Sequence, residues 1–437
     1  MRAGWVLMRE GVITALPEEG APPPMVFAKS IAKVVRRRRA VGAPQSKILG
    51  NALNRLGPSW VKLGQFLATR PDIVGDSIAY DLELLQDRME PFPTEDARAM
   101  VEATLARQVD DLFIEFGEPV AAASIAQVHK ARVRDEHGER DVAVKIIRPG
   151  VRERFAWDLE TFYTAARTLD RFFPSLRRLQ LVPSVDILAE SARLEMELRL
   201  EAAAFSEMSD NTQDDPGFRL PAIDWERSGR DCVTMEWVDG IKVSDIEALC
   251  ASGHDLKAVA NTLNQSFLRH TLRDGFFHAD MHPGNLFLAP DGDIVAVDLG
   301  IAGRLGKPER RFLGEILYGF IKRDYKRVAE VHFEAGYVPR DKDVDSFAQA
   351  LRAVGEPIYG QTAKDISMAS LLTLLFEITD LFEMKTQPQL LLLQKTMVVV
   401  EGVARKLDPE FNMWTSAGPV VVPYVTRLIG PLGKVDE

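Results

Sequence analysis

Residues 274–300 read D-G-F-F-H-A-D-M-H-P-G-N-L-F-L-A-P-D-G-D-I-V-A-V-D-L-G, and no other stretch limits the possible folds so tightly. It holds Asp280, Asn285 and Asp298, the second five residues after the first and the third thirteen after the second. Asn285-Leu-Phe-Leu predicts a strand, Asp291-Gly292 a hairpin turn, and Ile294-Val-Ala-Val the returning strand. A hairpin there folds the ends of the stretch together and brings Asp298 beside Asn285. Three metal- or base-competent groups are thereby held at fixed spacing. A competing arrangement, a metal site on His278, Asp280 and His282, has an i, i+2, i+4 spacing in its favour. Pro283 and Gly284 break that segment at once, and no Cys or further His follows at a ligand-like distance, so zinc is not expected. His278 reads as a histidine that braces the loop, and His282 as one that packs or lies near a phosphate.

These residue types suit phosphate chemistry. The phosphates of a nucleotide are neutralised by Mg²⁺, a hard cation that takes oxygen ligands. Asp298, followed by Leu-Gly, stands where protein kinases carry the Asp of Asp-Phe-Gly, and Asn285 offers a neutral carbonyl oxygen to the same metal. Asp280 is placed to orient or deprotonate an attacking hydroxyl or water. A second element of the same chemistry lies upstream. Residues 119–133 predict strand, tight loop and strand, and Asp141-Val-Ala-Val-Lys-Ile-Ile predicts a third strand with Lys145 inside it. A lysine among β-branched residues is costly unless its ammonium meets an anion. V-A-V-K is the kinase pattern in which that lysine holds the α- and β-phosphates. The loop between the first two strands is Ala121-Ala122-Ala123-Ser124 where glycines would be usual, so it should be stiffer than a glycine loop and hold the nucleotide in a different phosphate geometry.

Residues 151–208 are expected to be mainly helical, with Leu194 through Ala204 on one acidic helix. One acid there must pair with Lys145, and Glu201 is the choice, with Glu195 and Glu197 nearby. Residues 220–238 predict two more strands ending in Thr234-Met-Glu-Trp-Val-Asp-Gly, a hinge whose backbone contacts adenine at Met235, Glu236 and Val238. Met235 suits a gatekeeper or simple core packing. Past Gly240 helices are expected, broken only by the hairpin. Residues 371–376 and 390–400 read as buried stripes. From Asp298 through Asp345 there is no Ser or Thr, and no A-P-E element follows, so the usual docking site for a protein substrate is missing.

Composition narrows the partners. The chain has 437 residues, 46% hydrophobic and 27% charged, which is an ordinary globular balance with room for two or three lobes. A net charge of −10 argues against nucleic acid, whose binding feeds on dense Lys/Arg contacts. Cys232 and Cys250 form no spacing motif and read as buried thiols in a reducing compartment. Glu10, Glu18 and Glu19 are unlike a secretory signal. No stretch reaches the roughly 20 apolar residues needed to cross a bilayer. Gln394 and Lys395 interrupt one candidate; Pro423, Arg427 and Pro431 interrupt the other. Residues 25–39 have apolar positions at helical spacing (Phe27, Ile31, Val34, Val35) beside Lys29, Lys33 and Arg36 through Arg39. Such a helix can rest on an anionic membrane surface or pack on its own domain, and the pattern fits both.

Taken together, K-L-G-Q at Lys62, Gly64 and Gln65, L-L-Q-D-R, A-A-A-S-I-A-Q-V-H, V-A-V-K, the acidic helix, H-A-D-M-H-P-G-N and D-L-G resemble the UbiB family, the aarF-domain atypical kinase-like proteins. The resemblance runs from about Leu56 to about Asp408 in the family's order of motifs. It implies an α+β, protein-kinase-like fold: a helical extension over residues 1–115 laid over the cleft, a β-rich N-lobe over 116–240 and a helical C-lobe over 241–437. It implies ATP or ADP with Mg²⁺ and ATP-dependent work in ubiquinone biosynthesis. Polyprenyl-phenol lipids and biosynthetic enzymes would be its partners, in the cytoplasm and peripheral to the inner membrane. Lys145 and Glu201 look like the phosphate lysine and its partner, Asp280 like the catalytic-loop acid, and Asn285 and Asp298 like the metal ligands. Lys62 and Gln65, helical-face residues when taken alone, look like the signature pair that reaches the active site. The family's E-x-D stands as Glu195-Met-Glu197, the acidic pair expected to take the Lys62 ammonium. Two other readings fit the motifs less fully: a nucleotide-gated scaffold without catalysis, and a small-molecule phosphotransferase, against which the K-x-G-Q extension argues.

Overall fold

The computed structural model describes residues 2–10, 45–68, 70–83, 89–136, 138–172, 177, 179–360, 378, 381–384 and 388–429. The basic segment 25–39, L-L-Q-D-R at 84–88 and the apolar stripe at 371–376 lie outside them. The chain divides into two units, Met1–Ala202 with Ile223–Glu236, and Ala203–Ala222 with Trp237–Glu437.

The first unit opens with helices α1 (Arg2–Glu10), α2 (Gln45–Leu56), α3 (Pro58–Ala68), α4 (Pro71–Val74) and α5 (Asp76–Glu83). Gly57 at φ 111° ends α2, a conformation that a Cβ would strain, and Pro58 starts α3, where its missing N–H costs nothing. Helices α6 (Thr94–Leu105) and α7 (Val109–Leu112) then lead into strands β1 (Glu115–Ala122), β2 (Ala126–Asp135) and β3 (Gly138–Ile147). With β5 (Cys232–Glu236) they form an antiparallel sheet in the order β1-β2-β3-β5. Period-2 alternation decides its faces. Val142, Val144 and Ile146 of β3 join Ala131 and Val133 of β2 in one core against Ala97 and Val101 of α6. Each fully buried Val or Ile there contributes about 1.5–3 kcal/mol relative to exposure. Lys145, between two of those core positions, is thereby turned to the opposite face.

Helices α8 (Val151–Phe172) and α9 (Leu181–Glu195) pack Phe162, Ala166, Val185 and Leu188 against Trp60, Leu63 and Phe66 of α3. The Trp60 and Phe162 rings meet edge to face at 4.9 Å, and Trp60 Nε1 donates to Asp158. The acidic helix is not continuous. It breaks at Met196 and Glu197, and α10 (Leu198–Thr212) starts afresh. Of the two strands expected over 220–238 only β5 forms. Residues 225–227 close a 3₁₀ turn because the Asp224 carboxylate caps the Arg227 N–H and also holds its guanidinium at 3.0 Å.

The second unit is mainly helical. Besides β8 (Leu286–Leu288) and β9 (Ile294–Ala296) it contains, among the described residues, four short strands. These are β4 (Phe218–Arg219), β6 (Ile241–Lys242), β7 (Phe276–His278) and β10 (Ala302–Arg304). Strand order is β4-β9-β8-β6 in one sheet and β10-β7 in the other. The expectation of helices past Gly240 broken only by the hairpin therefore fails. Strands of two or three residues pair with distant partners and leave no periodicity for a local reading to find. Helix α11 (Ile246–Ala251) follows β6. Of the two cysteines expected to be buried, Cys232 of β5 is, whereas Cys250 of α11 is exposed. Helix α12 (Leu256–Arg269) packs against α16 (Pro388–Leu407) and α17 (Met413–Ile429). Helices α13 (Lys307–Lys322), α14 (Tyr325–Glu334) and α15 (Val344–Gly360) complete it; Tyr325, Val328, Phe347 and Leu351 form the core of α14 and α15. Among the described residues no helix is long and apolar enough to cross a membrane.

Candidate active site

In the first unit, Lys145 pairs across the sheet with Val128 and Val233, and its Nζ donates to Glu201 Oε1 at 2.6 Å. The two side chains are 16% and 7% exposed, so the pair sits in a low-dielectric setting where an uncompensated charge would be costly. Glu201 lies in the first turn of α10, next to the buried Ala202 and one turn from the buried Leu198. Ala121 and Ala122 end β1, paired with Val128 and Gln127, and Ala123 N–H donates to Ala126 O to close the turn. Ser124 in that turn is fully buried. Met235 is buried in β5 opposite Ala143, and Glu236 is half-buried opposite Val142. Val238 belongs to the second unit, where it packs with Ala289 and Val295.

Lys62 on α3 reaches Glu195 Oε2 at 2.5 Å, with side chains 15% and 17% exposed. The acidic pair is not shared. Glu195 closes α9 whereas Glu197 lies in the break beyond it, and its carboxylate accepts both Arg199 N–H groups and faces Arg230. The Arg199 hydrogen bonds hold the Glu197 carboxyl below its ordinary range. Gln65 is half-buried on α3.

Two residues of this unit escape a sequence reading. Gln127 and His129 occupy inward positions of β2, in line with Ala131 and Val133, and polar residues at period-2 core positions are the signal that could have found them. Gln127 accepts from Phe92 N–H at 2.9 Å and donates to Phe92 O at 3.1 Å. Its amide nitrogen also donates to His129 Nε2 at 2.8 Å. His129 Nε2 is therefore the acceptor, and Nδ1 carries the proton that goes to Gly117 O at 2.8 Å. Burial lowers the His129 pKa, consistent with that neutral ring.

In the second unit the hairpin forms as its residues require. Leu286, Phe287 and Leu288 pair with Ala296, Val295 and Ile294, and Gly292 turns at φ 94°. Val297 N–H donates to Asn285 O at 2.9 Å, which places Asp298 one residue from the pairing. Asn285 Nδ2 donates to Asp280 Oδ2 at 3.1 Å and to Asp280 O at 3.2 Å. With its nitrogen so engaged, the Asn285 carbonyl oxygen is the atom turned toward other partners. Asp298 Oδ1 accepts Gly300 N–H at 2.9 Å. His278 is fully buried, accepts Asp280 N–H at Nδ1, and so carries its proton on Nε2. Burial lowers its pKa to about 4 against the pull of Asp298 and Asp280. His282 accepts Gly284 N–H at 3.1 Å, so both histidines brace the loop backbone.

Among the described residues no three His, Cys, Asp or Glu side chains converge as a self-contained metal cage. Mg²⁺ takes one or two protein oxygens and completes its shell with phosphate and water. Asp298 has a carboxylate and Asn285 a carbonyl oxygen, groups of the kind such an ion takes. Upstream of the hairpin, a π-helical turn over His270–Asp274 feeds β7. Asp215 accepts from Arg273 at 2.6 Å beneath it, with His270 at 3.3 Å. Burial pushes the Asp215 carboxyl up, but hydrogen bonds from His270 and Arg273 outweigh it and hold the group far below its ordinary range.

Comparison with known proteins follows the same lines. Residues 84–332 match the ABC1 atypical kinase-like domain, and residues 351–412 match the UbiB helical domain. The protein named "Probable protein kinase UbiB" of Marinobacter nauticus is 37% identical over 446 residues, covering 100% of this chain and 80% of that protein. Its namesake from Azotobacter vinelandii is 39% identical over 405 residues, covering 92% of this chain and 75% of that one. A Mycobacterium tuberculosis protein solved in complex with erythromycin shares the fold, with a TM-score of 0.60 at 22% identity over 92% of this chain and 100% of its own. This α+β chain, with its kinase-like lysine–glutamate pair and its D-x-x-x-x-N hairpin, thus belongs to the UbiB family of atypical kinase-like proteins.

Proposed function

We propose that this chain binds Mg-ATP and hydrolyses it in support of ubiquinone biosynthesis, acting on polyprenyl-phenol intermediates at a membrane surface. The observation that carries the reading is the Lys145–Glu201 contact of 2.6 Å on the polar face of β3. Glu201 keeps the Lys145 ammonium charged and aimed, and the ammonium takes the α- and β-phosphates. Ala121, Ala122, Ala123 and Ser124 approach the phosphates, and Met235, Glu236 and Val238 approach adenine. Asn285 and Asp298 would hold Mg²⁺, which when bound neutralises charge on the phosphates. Asp280, held by Asn285, orients the attacking hydroxyl or water and takes its proton. The helix bearing Lys62 and Gln65 restricts access to small or lipidic groups, in keeping with a post-D-L-G segment that lacks Ser and Thr through Asp345. The test is phosphate release by the full chain, with and without liposomes carrying a polyprenyl phenol. Stimulation by the lipid is expected. No release alongside intact Mg-ATP binding would replace this reading with that of a nucleotide-gated scaffold.

A further inference from the structure

Arg148, directly after V-A-V-K-I-I, has no place in the chemistry above, yet it meets the alanine-rich turn at several points. Its backbone N–H donates to Ile125 O at 2.8 Å, its Nε to Ala123 O at 3.0 Å and its Nη2 to Glu90 O at 2.7 Å. The guanidinium stands 5.5 Å over the Phe92 ring. Met89 N–H donates to Ala122 O at 3.2 Å, and Phe92 is gripped through both its backbone groups by Gln127. Residues 89–92 thus run along the turn, and the consecutive carbonyls of Ala122 and Ala123 are both engaged. Peptide units are planar and trans, so holding the Ala123 carbonyl also sets the direction of the Ser124 N–H. One rigid fork that reaches carbonyls on two chain segments fixes both together. A lysine ammonium on a flexible stem does not reproduce that geometry.

We propose that Arg148 is a positioning residue for the nucleotide. It holds the alanine-rich turn in the backbone conformation that receives the phosphates and ties that conformation to residues 89–92. In sequence those residues follow the helix that carries Lys62 and Gln65. The role rests on the Mg-ATP reading given above, and Arg148 acts through the peptide units of residues 122–124 rather than by touching nucleotide.

The test uses the full chain as wild type, Arg148→Lys and Arg148→Met, with Mg-ATP titration calorimetry, melting temperature and amide hydrogen exchange. In Arg148→Met, exchange over residues 89–92 and 121–125 should quicken while that of β7, β8 and β9 stays at the wild-type rate. Its affinity for Mg-ATP should fall about ten-fold, the loss expected for a charge-assisted hydrogen bond. Arg148→Lys should lie between, and it carries the test if Arg148→Met does not fold. Wild-type affinity and wild-type turn exchange in both variants would overturn the proposal. So would faster exchange spread over the whole chain with affinity unchanged, the mark of a general stabilising role. A wild type that does not bind Mg-ATP overturns the nucleotide reading itself, and needs no variant to be recognised.

Discussion

A buried ammonium and a buried carboxylate are each costly alone, and Lys145 and Glu201 answer each other at 2.6 Å. Glu201→Gln keeps the size and an oxygen but removes the charge that offsets the buried Lys145 ammonium, so the melting temperature should fall markedly. Mg-ATP affinity should also fall about ten-fold, since charge-assisted hydrogen bonds are roughly twice as strong as neutral ones. Asp298→Asn should abolish the Mg²⁺ dependence of nucleotide binding; titrations with and without the metal check both, and wild-type affinity in either variant refutes its assignment. A different residue contributes to acid stability. His332 donates Nδ1–H to Val328 O at 2.7 Å inside α14, and burial lowers its pKa to about 4. Its folded pKa lies below the unfolded value of about 6.5, so its contribution is fully present above pH ~6.5 and is lost as pH falls from there toward 4. The contribution at stake is about 3 kcal/mol. Melting curves between pH 7.5 and 4.5 should fall more steeply for wild type than for His332→Asn, and parallel slopes would dismiss the idea.

Elements divide into those with a local signature and those without. The β8–β9 hairpin was legible because Asp291-Gly292 meets the positive φ of its turn and the flanking strands are apolar. The break between α9 and α10 was not, since Leu194 through Ala204 has no Gly or Pro and reads as one helix. There Met196 is buried and Leu198 N–H donates to Arg230 O, contacts that redirect the chain. Strands β7 and β10 carry no local signature at all, and their pairing depends on Gly303. A Cβ there would fall within the Phe277 ring, so Gly303→Ala should cost about 1–3 kcal/mol as overpacking. Gly402 in α16 is the opposite case. Nothing lies within 4 Å of a Cβ added there, so Gly402→Ala should stabilise by about 0.5–1 kcal/mol through helix propensity. Thermal denaturation of the two variants should move in opposite directions; a shift of the same sign would undo the packing account of β7 and β10.

On the scale of the molecule, the proposed function gives the K-x-G-Q helix the task of restricting access to the site. Lys62→Ala leaves Glu195 without its ammonium, and Gln65→Ala removes an amide from the same helix, while the Trp60–Phe162 packing that anchors α3 is untouched. Both variants should stay folded and change catalytic output, with autophosphorylation rising. Wild type should transfer little or no labelled phosphate to a peptide library. Unchanged melting, affinity and autophosphorylation in both variants would remove the K-x-G-Q helix from the mechanism, and robust peptide transfer by wild type would refute the restricted access. The sequence by itself determined the family, the strand that holds Lys145 and the hairpin that sets Asn285 and Asp298 together. Those features rest on periodicity and short fixed spacings, which local sterics translate directly into geometry. Only the tertiary structure decided that Lys62 takes Glu195 while Glu197 turns to Arg199, and that Gln127 and Arg148 bind residues 89–92 to the alanine-rich turn. Partner choice among several nearby charges depends on where the backbone bends and which groups lose water together, and no spacing along the chain encodes that.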